Sequence, residues 1–131
     1  MGNYFDLHRH DEFSFFDGFG KPSELARIAK KLGYPALGTS NHGNITGLVQ
    51  HWLACKEVGI KPILGCEVYF QSKFNKESPQ RKSYHLCLFV KNMQGYQNLC
   101  HLMTEANTQQ FYYKPIVDFK LLQKYHEGLI C

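Results

Sequence analysis

Gly33–Phe70, GYPALGTSNHGNITGLVQHWLACKEVGIKPILGCEVYF, decides the fold class of this chain. Ala36–Thr39 is a short apolar run with the length of a buried strand, and Lys61–Phe70 is a second, longer run rich in branched and aromatic residues. Pro62 lies near the start of that run, where a missing N–H donor is tolerated. Between them, Ile45–Val58 sets Ile45, Leu48, Val49, Trp52 and Cys55 on one helical face, and Gly59 is placed to end the helix. Strand, helix, strand at this spacing reads as a parallel pair joined by a right-handed crossover.

The pattern continues in both directions. Upstream, Tyr4–His10 reads as a short strand and Pro22–Leu32 as a helix, opened by Pro22 and closed by Gly33, with Leu25, Ile28, Ala29 and Leu32 as its apolar stripe. Downstream, Phe74–Lys82 is polar and without period, a loop, and Tyr84–Val90 reads as the next strand. Gln94–Ala106 repeats the helical spacing through Tyr96, Leu99, Cys100 and Met103. The aromatic piece FYYKP reads as irregular, Asp118 as the N-cap of a short helix through Tyr125 ended by Gly128, and Leu129–Cys131 as the beginning of a further strand. Alternation of this kind specifies an α/β fold with parallel strands, the seed of a β/α barrel or an open sheet. Chemistry in such folds gathers at the carboxyl ends of the strands.

At 131 residues one domain covering 1–131 is expected, and 44% hydrophobic with 20% charged residues excludes a disordered chain. No apolar run approaches a membrane span and no signal peptide opens the chain, so an intracellular protein without membrane partners is expected. The five cysteines, Cys55, Cys66, Cys87, Cys100 and Cys131, form no Cys-x-x-Cys pair, which fits buried thiols in a reducing compartment and argues against a zinc ribbon. A net charge of +4 is too small to announce a nucleic-acid binder, and the cluster Lys73, Lys76, Arg81 and Lys82 reads as a solvated loop.

Four histidines and two carboxylates fall where this alternation gathers functional groups: His8, His10, Asp17, His42, Glu67 and His85. Side chains at i and i+2 of a strand share a face, so His8 and His10 can share a cation. Glu67, between Cys66 and Val68, is a carboxylate in an apolar strand and needs a cation or a partner. Asp17 also reads as a turn residue before Gly18, His42 as part of a helix-capping turn, and His85 as a core histidine. His51, His101 and His126 are assigned to surface or packing. Imidazole and carboxylate together suit zinc, manganese or iron, and two such ions can activate water while neutralising a phosphate ester. No glycine-rich phosphate cradle, Ser-His-Asp order or Cys-His dyad competes with that reading.

FDLHRHDEFSFFDG, GYPALGTSNHGNITG, CKEVGIKPILGCEVYF, YHLCLFVKNMQGYQNL and FYYKPIVDFKLLQKYHEGLI, in this order, resemble the polymerase and histidinol phosphatase (PHP) domain, in the version that opens the bacterial and phage DNA polymerase III alpha subunits. The resemblance implies a distorted, TIM-like β/α barrel with up to three metal ions, for which His8, His10, Asp17, His42, Glu67 and His85 are the corresponding ligands and Glu67 the bridge. It implies a role in DNA replication, with a metal-dependent 3′–5′ exonuclease site for proofreading. The implied partners are a DNA 3′ end, the remainder of the polymerase alpha subunit and other replisome subunits, in the cytoplasm of a bacterium or a phage-infected cell. Other members are inactive scaffolds that brace the polymerase, and free-standing relatives are small-molecule phosphatases.

Two departures from the family pattern stand out. Ser40-Asn41-His42-Gly43 replaces the usual Thr-Asp-His-Gly, so a neutral amide stands where a carboxylate would orient a metal-bound imidazole. The later family ligands and the polymerase carboxylates are absent, so the expectation is an N-terminal PHP fragment with an unclosed barrel, weak or inactive by itself.

Overall fold

Pro22–Lys31 forms helix α1, Ala36–His42 strand β1, Leu48–Val58 helix α2 and Lys61–Gln71 strand β2, so the strand–helix–strand unit expected around Gly33–Phe70 is present. They are followed by β3 (Tyr84–Val90), α3 (Met93–Thr108), β4 (Phe111–Tyr112), β5 (Lys114–Asp118), α4 (Phe119–Tyr125) and β6 (Leu129–Ile130). The computed structural model describes residues 4–131. Tertiary contacts divide the chain into two units, one ending at Cys66 and one beginning at Glu67.

In the first unit, β1 pairs with β2, and the Lys61 N–H donates to the Pro35 carbonyl at 3.0 Å where that pairing starts. Helix α1 packs on α2 through only part of the stripe expected for it, Leu25 and Ala29. Pro22, Ala26 and Ala29 are buried, whereas Ile28 and Leu32 are 54% and 57% exposed. Ala26, Ala29, Ala54 and Cys55 form one cluster with Leu37 and Ile60. Small residues let the two helices approach closely and turn the larger apolar side chains outward. Truncating Leu37 to Ala in this cluster removes packing worth roughly 2–5 kcal/mol.

Helix α2 starts at Leu48, three residues later than Ile45. The Asn44 side chain explains the delay, because its Nδ2 donates to the carbonyls of Phe13 and His42 and its Oδ1 accepts from the Thr46 N–H. Such local bonds compete with the first helical turn. The buried face is Leu48, His51, Ala54 and Cys55, while Val49 and Trp52 are largely exposed. Gly59 closes the helix at φ 69°, in the left-handed region that favours glycine.

The strand expected at Tyr4–His10 is not formed. The segment still runs along β1, with the Gly38 N–H donating to the Asp6 carbonyl at 2.8 Å and the Ser40 N–H to the Arg9 carbonyl at 2.9 Å. Three residues on one side span two on the other, a bulge-like offset that breaks a regular ladder. Gly38 permits the approach, since a Cβ there would lie 2.7 Å from the Asp6 oxygen and from the Leu7 Cα.

In the second unit the strand order is β4-β5-β2-β3-β6, a path with two ends. Strand β2 pairs with β5 in parallel, Tyr69 opposite Ile116 and Gln71 opposite Asp118. Two other pairs are antiparallel, β4 with β5 and β3 with β6, so the sheet is mixed and not parallel throughout. Tyr113 alone separates β4 from β5, and a link that short permits only a hairpin. Strand β5 also corrects the irregular reading of FYYKP. Ile116 and Val117 are fully buried, but a two-residue apolar run is too short to signal a strand by periodicity.

Helix α3 is capped by Asn92, whose Oδ1 accepts from the Gly95 N–H at 3.0 Å. It buries Asn98, Leu99, Leu102, Met103 and Ala106 against β5, β3 and α4. Asp118 caps α4 as expected, with Oδ1 accepting from the Leu121 N–H at 2.8 Å and Oδ2 from the Phe74 N–H at 3.3 Å. Among the described residues no helix is long and apolar enough to cross a membrane. Cys55 and Cys66 are buried, but Cys131 is exposed.

Candidate metal centre

Three of the six expected ligands converge in the first unit: His10, Asp17 and His42 each offer a donor atom, and these atoms lie within 4.8 Å of one another. His42 is the last residue of β1, and Gly43 at φ 59° turns the chain away immediately after it. The capping role considered for His42 does not apply, because Gly47 occupies the N-cap of α2. The His42 ring stacks on that of His10, with centroids 4.5 Å apart. His8 completes the group edge-on to His10 at 5.4 Å. The two imidazoles of His-x-His therefore meet, although no strand alternation brings them together.

Asp17 lies in the turn after Ser14, as its turn reading has it, and also faces the histidines. Its Oδ2 is 2.8 Å from His42 Nε2, and the Ser14 hydroxyl donates to its Oδ1 at 2.6 Å. The Ser14 bond, aided by the nearby His42 and His10 imidazoles, holds the Asp17 carboxyl below its ordinary range. Ser14 Oγ also accepts the His42 N–H at 3.2 Å, tying the turn to β1. Gly18 makes the turn possible, because a Cβ there would lie 1.8 Å from the Asp11 carbonyl oxygen.

Glu67 and His85 come together in the second unit. Glu67 lies in the middle of β2 and is 2% exposed, with its Oε1 2.8 Å from His85 Nδ1. His85, the second residue of β3, keeps half of its side chain accessible. A carboxylate buried this deeply needs such a partner.

Behind His8 and His10 runs a buried polar network that sequence reasoning missed. Asp11 is fully buried. Its N–H donates to Asn41 Oδ1 at 2.9 Å, and Asn41 Nδ2 returns a bond to Asp11 Oδ1 at 2.7 Å. Thr39 Oγ1 donates to Asp11 Oδ2 at 3.0 Å, and the Phe13 N–H to Oδ1 at 3.1 Å. Asn41, the departure from the family pattern, is thus the neutral complement of a carboxylate one residue from His10. Arg9 extends the network: its Nε donates to the Gly38 carbonyl, and its Nη2 stands 3.3 Å from His51 Nδ1.

His51 is fully buried, with Nε2 3.0 Å from the Leu37 carbonyl. A carbonyl only accepts and an arginine only donates, so the ring is neutral with its proton on Nε2. Burial pushes its pKa down to about 4, pushes the Cys55 thiol up to about 11, and lowers Arg9 as well. One signal in the sequence does point to His51: it lies three residues after Leu48 and four before Cys55, on the face that α2 buries.

The donor sets fit a borderline divalent ion. Imidazoles and ionised carboxylates in one cluster are what zinc, manganese and iron take, and Asp17 is held in the ionised form that ligation requires.

Comparison with known proteins places the chain in a family. The PHP domain family matches residues 6–131. DNA polymerase III alpha subunits are similar over nearly the whole chain: 43% identity over 129 residues for that of Chlamydia pneumoniae, covering 95% of this chain and 10% of the relative. For the Aquifex aeolicus subunit the identity is 42% over 138 residues, covering 98% of this chain and 12% of the relative. The chain spans about a tenth of the length of these relatives. Among solved structures, one from Bifidobacterium adolescentis presented as a metal-dependent phosphoesterase superimposes with a TM-score of 0.57 at 24% identity, over 78% of this chain and 32% of that one. An amidohydrolase from Chromobacterium violaceum, with bound sulfate, gives 0.60 at 23% identity, over 83% and 34%. At these identities the likeness establishes the fold.

Proposed function

We propose, since the chain belongs to the PHP domain family, that it binds divalent metal through His8, His10, Asp17, His42, Glu67 and His85 and serves metal-dependent phosphodiester hydrolysis at a DNA 3′ end. The observation that carries this reading is the convergence of His10, Asp17 and His42 within 4.8 Å, in a chain about 40% identical to DNA polymerase III alpha subunits. Bound divalent ions supply Lewis acidity and an activated water. The chain's own part is to hold the donors. Ser14 fixes the Asp17 carboxylate, Asp17 orients His42, and Glu67 holds His85. Proofreading exonuclease activity and association with the rest of a polymerase alpha subunit, in a bacterial cytoplasm, belong to the same proposal.

The scaffold reading draws on Asn41 and on the missing later ligands, and the Asp11–Asn41 pair weakens the first of these supports, because a carboxylate remains at that junction. Elemental analysis of the purified chain, with a 3′-end hydrolysis assay in zinc, manganese or iron, tests the proposal. His42→Ala and Glu67→Ala are expected to lower the bound metal and to abolish any hydrolysis by the parent chain. Metal content unchanged in both variants refutes the ligand assignment. Metal-dependent melting with no hydrolysis in any metal selects the scaffold.

A further inference from the structure

Four aromatic rings of the second unit carry a cation over the face, Tyr125 under Lys124 in α4 and three more between Tyr69 and Lys114. Lys114 Nζ lies 4.2 Å from the Tyr69 centroid, Arg81 Cζ 3.9 Å from that of Tyr113, and Lys82 Nζ 5.8 Å from that of Tyr84. Folded proteins show significant cation–π pairs about once per 70–80 residues, so three between Tyr69 and Lys114 form a concentration. The pairs are also close neighbours along the chain. The His85 ring, held by Glu67, meets Tyr69 edge-on at 5.4 Å, Tyr69 carries Lys114, and Lys114 adjoins Tyr113, on which Arg81 lies. Ring and cation contacts thus run from the Glu67–His85 pair through Tyr69 to Lys114, and the Arg81–Tyr113 and Lys82–Tyr84 pairs each begin one residue along the chain from a member of that run.

Backbone and exposure support a functional role for these two pairs. Tyr113 is 65% exposed and has φ 61°, a conformation costly for a non-glycine residue and often retained at sites of function. Tyr84 is 63% exposed as well, so neither ring is spent on the core. The loop that delivers Arg81 and Lys82 is fastened to β2 by Gln71, whose Nε2 donates to the Gln80 and Lys82 carbonyls.

Exposed rings alternating with cations suit a ligand that alternates stacked bases with phosphates. We infer that Tyr69, Arg81, Lys82, Tyr84, Tyr113 and Lys114 form a track for single-stranded DNA that leads a strand to the Glu67–His85 end, an inference that deepens the hydrolytic reading above and rests on it for the strand's destination. Bases stack on Tyr113, on Tyr84 and on the outer face of the Arg81 guanidinium, while Lys82 and Lys114 neutralise phosphates. The loop cluster expected to be merely solvated supplies two members of the track.

Fluorescence anisotropy of a labelled oligothymidylate against the full 131-residue chain, in excess EDTA, tests the track without any metal. The single strand is expected to bind more tightly than a duplex of equal length. Tyr113→Asn, which tolerates the left-handed backbone, should weaken binding about five- to a hundred-fold, and Tyr113→Phe should preserve it. Arg81→Ala and Lys114→Ala should each weaken binding and reduce the log–log salt slope by about 0.7. Lys120→Ala, on α4 and outside these pairs, should bind as the parent does. If Tyr113→Asn melts early, the Arg81 and Lys114 variants decide alone. Equal binding by parent and variants, a Lys120→Ala loss as large as that of Arg81→Ala, tighter duplex binding, or no binding by the parent overturns the inference. Strand binding in EDTA by a chain that takes up no metal upholds the track and overturns the metal reading. Metal uptake without strand binding overturns the track alone.

Discussion

Asn41→Asp puts a second carboxylate against Asp11 and tests whether that buried junction tolerates only one charge. Asn41 Nδ2 donates to Asp11 Oδ1 at 2.7 Å; the substitution replaces that donor with an oxygen, while the bond from the Asp11 N–H survives. Two unit charges about 4 Å apart repel by about 4 kcal/mol at an effective dielectric of 20. The pair can escape only by taking up a proton, which at pH 7 costs a carboxyl of ordinary pKa about 4 kcal/mol. The two limits agree, so a loss of roughly 3–4 kcal/mol is expected at pH 7, or about 10–15 °C in Tm for a chain of this size.

The pH dependence follows from that proton. The shared carboxyl has a folded-state pKa raised above its unfolded value, so the penalty is absent below about pH 4 and grows as pH rises, reaching only about 1.5 kcal/mol at pH 5. Asp11→Asn combined with Asn41→Asp restores one charge and one amide and should recover more than half of the loss. Circular dichroism melts of the three proteins at pH 5 and pH 7 decide the matter. A single variant melting within about 2 °C of the parent at pH 7, or a double variant no better than the single, refutes the reasoning.

Two further perturbations reach different parts of the first unit, and one reaches the second. His51 is neutral when folded, with a pKa near 4, so stability is fully present above about pH 6.5 and falls toward pH 4, by roughly 3 kcal/mol in all. Urea titrations should show this acid slope in the parent and its loss in His51→Gln. Gly18→Ala drives a Cβ into the Asp11 carbonyl and should displace Asp17, lowering metal affinity in an isothermal titration by ten-fold or more; unchanged affinity would show that the Ser14–Asp17 turn does not set the site. Gly95→Ala places a Cβ 1.8 Å from the Gly128 oxygen and should cost roughly 1–3 kcal/mol, read as a lowered urea midpoint.

Elements were legible where one period dominated, and faces were not. Tyr84–Val90 forms the strand expected of it, and α4 has the cap expected from Asp118. The helix faces in the first unit shifted because hydrophobic patterning ranks Ile28, Leu32, Val49 and Trp52 as interior. Close packing of α1 on α2 keeps Ala29 and Cys55 from the expected faces and adds Ala26 and Ala54, whose weak hydrophobicity gives no strong signal. Asp11 escaped for a related reason. Nothing beside it in the sequence marks it as a polar residue that will be buried and paired, since its partners lie about thirty positions away in β1.

The donors were legible for a reason different from the one their spacing suggests. Alternation along a strand would bring His8 and His10 together, yet that segment forms no strand, and of the four candidate donors in the first unit only His42 belongs to a regular element. His8, His10 and Asp17 lie on irregular backbone. What fixes that backbone is polar: the Asp6 and Arg9 carbonyls on β1, Asp11 on Asn41 and Thr39, and Ser14 on Asp17. Hydrogen-bonded loops yield before packed helices do, so weakening this network should release the ligands while α1 and α2 still hold. Thr39→Val removes one bond to Asp11 at nearly constant volume and is suited to show it. Metal affinity should fall several-fold while the far-ultraviolet spectrum at 25 °C is unchanged; a variant that keeps full affinity would mean that the ligands are placed by something other than this network.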